Sequence, residues 1–571
     1  MFENNTTFQE FANVDKEQLP VAAGKFKGWK HFAGLYAAEH VAATEFVIGA
    51  TFVALGAKTT DIVIGLLIGN ILAILSWVLI CAPIAVDTRL SLYNYLDKIA
   101  GKKMSKLYNW ANVLIFTVIS AAMITVSASG VRFLFDIPAQ LDWYPNNVWF
   151  VVIVGIVGSF AVFVAIYGFE AVSNFSGIAA PWLFTMFTTG AMVLIPELSL
   201  EVLGSTLPSD FSEFIRIGDN AIWTGTNEDG ETGIGLLEVI GFAWAANSIT
   251  HFGLIDMILF RYAKKSTDAF STSTGMLFGH YIAWISSGLM GAGTALIVGK
   301  TIGQLDPGDV AYYALGWSGF VIVLLAGWTT AITNLYRAGM AAQAVFNKSS
   351  GRRTTLITGV FMVIIAAFPF VFTQVLQLLT YAGLIVVPVG AIVFAEHVIF
   401  PHIGYTRYWC KFQDYKGSTA AVASWIIGLS FGFLLNLLDF MPFYYLFIPT
   451  WVFTVILYTV LAGSMGAKKS FEKEIEEQAE YDKKVIAYQE HLAEKEQVKE
   501  QADTTLTRTM SIVSLMALAI TFALAGNVLF GSADRTNYEA NREIFYTGTF
   551  ICTCVYFFLS IWSYHRKTSS S

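Results

Sequence analysis

The chain has 571 residues, of which 55% are hydrophobic and only 13% are charged, and its mean hydropathy is +0.58. Soluble globular proteins carry about 25% charged residues, so this composition excludes that class and predicts an integral membrane protein. The net charge of −7 comes with no basic patch in the sequence, so we expect no nucleic-acid partner.

Apolar stretches recur along the chain, and a stretch of about 20 residues is enough to cross a bilayer as a helix. We predict an all-α integral membrane fold with 12 core transmembrane helices plus 2 extra C-terminal helices. The predicted spans, in chain order, are 32–56, 62–86, 107–133, 147–168, 174–195, 234–262, 270–299, 312–345, 354–371, 374–401, 418–440, 442–464, 509–531 and 544–564.

Lysine and arginine collect in alternate connections, all on the same side as the N-terminus, whereas the opposite connections are poor in both. The positive-inside rule therefore predicts a multi-pass protein of the cell membrane, with both termini in the cytoplasm. The predicted segments are 1–30 (cytoplasmic N-terminal segment), 31–195 (spans one to five), 196–233 (acidic extracellular loop), 234–402 (spans six to ten), 403–466 (spans eleven and twelve), 467–508 (charged cytoplasmic helix) and 509–571 (two accessory spans).

Residues 467–506 interrupt the apolar pattern with a segment rich in Glu, Lys, Ala and Gln. Its Glu–Lys spacings support a helix, and its few apolar anchors predict a solvated cytoplasmic connection between two spans. The alternative is a helix that binds a cytoplasmic partner, and a homo-oligomer is also left open.

One enzyme-like motif occurs, the G-x-S-x-G pattern at 428–432. It lies inside a predicted membrane helix, whereas the nucleophile elbow needs a turn from a strand to a helix. We therefore predict that the protein is not an enzyme, and we look for function in polar groups at membrane depth.

The first span is interrupted by four polar residues, Glu39, His40, Thr44 and Glu45. An unwound stretch at 39–46 explains them, because exposed backbone inside a membrane is tolerated only where it lines a cavity or is buried in protein. The alternative is a polar first half, with the apolar span beginning at Phe46.

The sixth span carries a second polar cluster at its centre, which predicts a second broken helix. The alternative is a histidine that is hydrogen-bonded within the helix packing. The cluster consists of Asn247, Ser248, Thr250, His251 and Gly253, with Asp256 just beyond.

The eighth span carries a polar stripe in which Thr329, Thr333 and Arg337 are spaced i, i+4 and i+8, with Thr330 and Asn334 beside them. Interhelical hydrogen bonding is the alternative reading of such threonines. Because the two interrupted helices are five spans apart, they mark an inverted-repeat transporter with substrate and ion between the breaks. We interpret Arg337 as approaching the cytoplasmic end of its helix.

Four stretches resemble the nucleobase:cation symporter family, which includes cytosine permease and the bacterial hydantoin transporter. They are WTTAITNLYRAG (328–339), TYAGLIVVPVGAIVFAEHVI (380–399), FVIGATFVALGAKTTDIVIGLLIGNILA (46–73) and VDTRLSLYNYLDKIAG (86–101). The resemblance covers about 30–465 and implies a LeuT-type fold with a 5+5 inverted repeat and cation-coupled uptake.

The resemblance also implies a Na⁺ site between the first break and the eighth helix, and proton coupling is the alternative. The implied ligands are the hydroxyls of Thr329 and Thr330 and the carbonyls of Glu39, Ala42 and Ala326. Hard cations bind such oxygen ligands.

The sequence departs from the family at its third helix, where Val118 stands in place of the tryptophan that stacks the base, with Phe116 near it. The expected substrate contacts are Ala43, Glu45, Phe46, Phe116, Trp244, Asn247, Thr250, His251, Phe252 and Asn334. We predict cation-coupled uptake of a nucleobase or related small heterocycle. The alternatives are a symporter of another small solute, such as an amine, amino acid or vitamin, and a transporter-like nutrient sensor.

Overall fold

The computed structural model describes residues 11, 14, 16–227, 229–346, 348–413, 417–495 and 505–568. Within these ranges the chain is helical and forms no strand, and eleven helices are long and apolar enough to cross a membrane. The predicted all-α integral membrane class is therefore confirmed. Parts of the predicted segments 1–30 and 467–508 lie outside the described residues, namely 1–10, 12, 13, 15 and 496–504.

The first predicted repeat consists of six helices, because its first span is broken into two. They are α1 (Trp29–His40), α2 (Thr44–Ala54), α3 (Thr59–Thr88), α4 (Leu92–Phe135), α5 (Val148–Ala165) and α6 (Glu170–Leu203). Gly101, with φ of 72°, interrupts α4 with a sharp bend before its membrane-spanning part.

The second predicted repeat also begins with a broken helix, since α7 is followed by two single helical turns, Ser248–His251 and Met257–Phe260. The remaining helices follow in order. They are α7 (Leu236–Ala245), α8 (Ser266–Val298), α9 (Pro307–Leu315), α10 (Trp317–Val345), α11 (Gly351–Ala366), α12 (Val375–His402), α13 (Thr419–Leu437), α14 (Phe443–Ala467), α15 (Glu472–Lys495), α16 (Thr505–Phe530) and α17 (Arg535–Arg566).

Both predicted helix breaks are present. Helix α1 ends at His40 and α2 begins at Thr44, with Val41 in a non-helical conformation. The sixth span ends its first half at Ala245, and Leu254 adopts a positive φ of 57° between its two later turns. The broken segments are buried, as backbone without helical hydrogen bonds must be at membrane depth.

Three of the predicted spans are not among the eleven long helices. They correspond to α1 with α2, to α7 with its two turns, and to the shorter helix α11. The total of fourteen spans therefore stays a prediction. Helix α6 continues past residue 195 to Leu203, and a short helix, Phe211–Ile217, forms part of the predicted loop 196–233.

The two C-terminal helices pack against each other and against α6. Trp182 of α6 donates its indole N–H to Thr553, 3.0 Å away, and Tyr556 donates to the carbonyl of Ile178 at 2.7 Å. These hydrogen bonds attach α17 to α6, and α17 also contacts α10, where the Ser318 and Thr553 hydroxyls lie 3.4 Å apart.

Helix α15 is docked on the N-terminal side of the bundle and is not surrounded by solvent. Lys98 pairs with Asp482 at 2.9 Å, and Val485 is buried in a small apolar cluster with Phe11 and Leu19. The cluster joins the N-terminal segment to α15, which gives the few apolar anchors of this charged helix a packing role.

Helices α1 and α8 approach so closely that Gly279 has no room for a side chain. A Cβ at Gly279 would lie 2.0 Å from the carbonyl oxygen of His40. Gly279→Ala is therefore expected to lower the free energy of unfolding by about 1–3 kcal/mol. Thermal melting of the detergent-purified protein measures this, and Gly155→Ala, with nothing within 4 Å of its added Cβ, is the control. Equal melting temperatures for the two variants would contradict this packing.

Candidate functional site

Oxygen atoms from α1 and α10 meet beside the first helix break. The Thr329 hydroxyl oxygen lies 2.9 Å from the Ala38 carbonyl and 3.0 Å from the Ala326 carbonyl. The Thr330 hydroxyl lies 2.9 Å from the carbonyl of Glu39 and 3.4 Å from that of Ala326. We call these two hydroxyls and three carbonyls the oxygen cluster.

The oxygen cluster exists because α1 ends at His40. A helix that stops leaves its last carbonyls without N–H partners from the following turn, and the carbonyls of Ala38 and Glu39 belong to this group. Both threonines are buried, so the cluster lies inside the protein beside the break. Such an oxygen set can hold a hard cation in place of the hydroxyl–carbonyl hydrogen bonds.

Ala42, one of the expected carbonyls, is not part of the oxygen cluster. Its carbonyl accepts the backbone N–H of Glu45 at 3.2 Å, in the first turn of α2. Helix α1 stays regular to His40, so the carbonyls that face Thr329 and Thr330 come about one turn earlier than expected. Ala38 takes the place of Ala42.

A buried ion-pair network lies beside the oxygen cluster and shares Glu39 with it. Arg337 pairs with Glu39 at 2.5 Å and with Asp256 at 2.6 Å. Asp256 also accepts hydrogen bonds from the Tyr36 hydroxyl and the Trp77 indole, both at 2.9 Å. The network therefore joins α1, α3, α10 and the second helix break.

Arg337 does more than approach the end of its helix, as the sequence interpretation had it. Its side chain is only 1% exposed and is held by two carboxyl groups. The signal was present in the i, i+4, i+8 stripe, which puts Arg337 on the same helix face as Thr329 and Thr333. The local sequence does not show that the carboxylates of Glu39 and Asp256, which come from distant segments, contact that face.

The network carries one positive charge and two negative charges, those of Glu39 and Asp256. Glu39 contributes its carboxylate to Arg337 and its carbonyl to the oxygen cluster. One guanidinium is thus shared by two carboxyl groups beside the oxygen cluster.

Two of the expected substrate contacts lie beside the network. Asn334 donates to the carbonyl of Thr330 at 2.9 Å, and its oxygen accepts from Arg337 at 3.3 Å. The ring of Phe116, on α4, lies 5.9 Å from the Arg337 guanidinium. Both residues therefore lie near Arg337, Phe116 on α4 and Asn334 on α10, and their contact with a substrate stays a prediction.

Other expected contacts gather on the opposite side, against α8. Glu45 accepts the indole N–H of Trp284, and Asn247 lies 3.2 Å from a ring nitrogen of His280. Ala43 is buried within the first break. Sequence reasoning missed His280 and Trp284, although an intramembrane histidine beside Gly279 was a visible signal.

Thr250 and His251 occupy the second break with different surroundings. The Thr250 hydroxyl donates to the Asn247 carbonyl at 2.9 Å and so closes its own turn. The His251 ring is buried, lies 5.1 Å from the Trp77 ring and is close to the backbone of Trp244.

Three aromatic residues expected to stack a substrate pack elsewhere. Phe46 stacks on Phe187 of α6 with ring centroids 4.6 Å apart. Trp244 and Phe252 both pack against Phe447 of α14, at 5.2 and 5.0 Å. All three rings pack against neighbouring helices. Burying a large apolar ring against other apolar side chains stabilises the fold more than placing it beside the polar breaks.

Access to the breaks is narrow on both sides. A cavity of about 50 Å³ lies between α2, α7, α12 and α14, with Ile48, Ser248 and Leu384 in its lining. Drug-sized ligands occupy pockets of about 300–1,000 Å³. On the N-terminal side, Glu17 pairs with Arg261 at 2.5 Å and accepts from Tyr336 at 3.3 Å. Glu17 therefore links the N-terminal segment to Arg261 of the sixth span and to Tyr336 of α10.

Solved structures share this architecture. No protein-family model matches the sequence, and comparison with curated proteins finds no match. The structure is similar to Mhp1, a nucleobase-cation-symport-1 family transporter solved in a closed conformation with bromovinylhydantoin bound (TM-score 0.62, 14% identity, 84% of this chain and 100% of that chain). It is also similar to a Na⁺-coupled sialic acid symporter in a substrate-bound outward-open state (TM-score 0.57, 13% identity, 81% and 96%). The fold is therefore LeuT-type, as the resemblance implied.

Proposed function

We propose that this protein is a secondary active transporter that couples the inward flow of Na⁺ to uptake of a nucleobase or a related small heterocycle. One observation carries the proposal. Two threonine hydroxyls of α10 converge with carbonyls of Ala38, Glu39 and Ala326 at the first helix break. In transporters with broken helices, half-helix ends and unwound carbonyls bind the coupling ion.

The proposed substrate class, a nucleobase or related heterocycle, rests on two observations. The sequence resembles nucleobase:cation symporters, and a structural neighbour of that family binds a hydantoin. Asn334 and His251 supply an amide and an imidazole beside the breaks, groups that can pair with the N–H and C=O edge of a heterocycle. We assign the Na⁺ ligands as Thr329, Thr330, Ala38, Glu39 and Ala326.

Alternating access follows from the arrangement of the breaks. Arg337 of α10 holds both breaks through Glu39 and Asp256, so a rearrangement of these ion pairs releases the two interrupted helices to move relative to α10. We place the protein in the cell membrane with both termini in the cytoplasm. The docked helix α15 then lies on the cytoplasmic face, where a partner would have access to its exposed side.

The proposal is tested with the full-length protein in vesicles. Labelled uracil, cytosine, adenine and hydantoin are offered under an inward Na⁺ gradient. We expect uptake of at least one compound to rise severalfold over the same vesicles with K⁺ replacing Na⁺. Protein-free vesicles are the control. Binding of a compound without any uptake under Na⁺ would contradict transport and favour a sensor.

A further inference from the structure

Glu45 is a buried carboxylate that the oxygen cluster does not use. It lies in the first turn of α2, is 2% exposed, and faces α8 rather than α10. One of its oxygens accepts the indole N–H of Trp284, and the other lies 3.8 Å from Nε2 of His280. Its partners from other helices are thus two rings of α8, and the Thr44 hydroxyl and the backbone at Ala42 contact it from its own turn.

The tautomer of His280 is set by Asn247. The Asn247 amide nitrogen lies 3.2 Å from the Ala243 carbonyl and 3.2 Å from Nδ1 of His280. The carbonyl accepts one amide hydrogen, which fixes the orientation of the amide and aims its second hydrogen at Nδ1. Neutral His280 therefore carries its own proton on Nε2, directed toward Glu45.

This arrangement keeps His280 neutral. A second ring proton on Nδ1 would point at the Asn247 amide donor, where nothing accepts it. His280 and Trp284 thus present neutral N–H groups to Glu45, and His280 is a positioning residue. A further proton in this region therefore binds most favourably to the Glu45 carboxylate.

Glu45 differs from the other buried acids near it in its charge balance. Glu39 and Asp256 share Arg337, and Asp306 pairs with Arg132 at 2.7 Å. Among the described residues, His280 is the basic side chain paired with Glu45, and no lysine or arginine pairs with it within 4 Å. An ionised carboxylate without a counter-charge is strongly unfavourable at membrane depth.

The titratable groups that face this pocket come from four elements. His280 belongs to α8, and His40, on α1, places its ring 4.8 Å from that of His280 and its Nδ1 3.0 Å from the Tyr36 carbonyl. His251 lies behind Trp77 in the second break. Helix α9, which also touches α2, carries Asp309 and is preceded by its N-cap Asp306, and both pair with Arg132. None of these groups places a fixed positive charge on Glu45.

The surroundings suit a proton better than a metal ion. A hard cation needs several oxygen ligands, whereas the groups around Glu45 present N–H donors that would repel it. Space is also short, because a Cβ at Gly49 would lie 2.5 Å from Ser287 and one at Gly279 would lie 2.0 Å from the His40 carbonyl oxygen. A proton needs neither additional ligands nor room.

We propose that Glu45 is a proton-binding site, separate from the oxygen cluster, so that transport is coupled to both Na⁺ and H⁺. The carboxylate takes one proton from water when the pocket opens and becomes a neutral carboxylic acid. It returns that proton to water on the other side. The neutral form matches the buried position of Glu45 seen here, since it leaves no uncompensated charge in the protein interior. This inference rests on the proposed transport function.

Infrared difference spectroscopy of the purified full-length protein, between acidic and alkaline pH, tests the site without any substrate. We expect a carbonyl band of a buried carboxylic acid in the wild type. The band should disappear in Glu45→Gln and return at a shifted frequency in Glu45→Asp. Glu197→Gln, which removes an acid paired with Arg535 at 2.7 Å, is the matched control and should leave the band unchanged.

The remaining outcomes also decide the proposal. If Glu45→Gln fails to purify, Trp284→Phe serves instead, because it removes one hydrogen bond to the carboxyl group and should shift the band frequency. An unchanged band in Trp284→Phe would overturn the proton site. A band that persists in Glu45→Gln, or that Na⁺ abolishes by competition, would also overturn it. Failure of Na⁺-driven uptake with a clear Glu45 band would reject the transport proposal and leave the proton site standing.

Discussion

Replacing Arg337 by methionine is expected to lower the free energy of unfolding by about 3–5 kcal/mol, the range for breaking a buried pair and leaving its partner charged. The side chain holds Glu39 at 2.5 Å and Asp256 at 2.6 Å, so its loss leaves two carboxylates without a counter-charge. Thermal melting and detergent resistance of the purified protein measure the change, and Na⁺-driven uptake should be lost.

A triple variant separates the charge from the fold. Arg337→Met together with Glu39→Gln and Asp256→Asn removes all three charges, and replacing a buried ionic group by neutral ones is often close to neutral for stability. We expect this variant to regain most of the melting temperature and none of the transport. Arg352→Met, at an exposed arginine near the Tyr167 ring, is the control. A single Arg337→Met variant that melts like the wild type would refute the role of the network.

Thr329→Val and Thr330→Val are each expected to raise the Na⁺ concentration that half-stabilises the purified protein by about 10- to 100-fold. Contacts to a charged partner contribute about 1.5–3 kcal/mol, and each 1.4 kcal/mol corresponds to a factor of ten. Valine keeps the shape of threonine and removes only the oxygen. Melting curves over a Na⁺ series measure the change, because a ligand that binds the folded state raises its stability.

Thr333→Val is the matched control for both substitutions. It lies one turn further along α10, and its hydroxyl donates to the Thr329 carbonyl at 2.9 Å within the same helix. We expect its Na⁺ dependence to stay close to that of the wild type, whereas the double variant of Thr329 and Thr330 should show none. Equal Na⁺ dependence in all variants would show that the oxygen cluster is not the ion site.

The oxygen cluster and the Arg337 network share one residue, and this gives a physical route for coupling. Glu39 supplies a carbonyl to the cluster and a carboxylate to Arg337, which also holds Asp256 of the second break. A cation that pulls on the Glu39 backbone therefore changes the geometry of the ion pairs that join the two breaks. Binding energy at one site can in this way bias the arrangement of both interrupted helices.

The amino-acid sequence by itself determined the membrane class, most span positions and the two helix breaks. Lipid imposes a minimum apolar length and makes unsatisfied polar groups costly, so Glu39, Asn247 and their polar neighbours marked the interruptions directly. The pair Thr329 and Thr330 was found for the same reason. These predictions use only the local sequence and the expected depth of each residue in the membrane.

Only the tertiary structure decided which groups face one another. Successive residues point about 100° apart around a helix, so ending α1 at His40 brought the Ala38 carbonyl, and not that of Ala42, to Thr329. The partners of Arg337 and the approach of His280 to Glu45 depend on segments far apart in the chain. The same holds for Phe46, Trp244 and Phe252, whose rings turned to neighbouring helices. Periodicity defines the face of a helix, but packing between helices defines what that face meets.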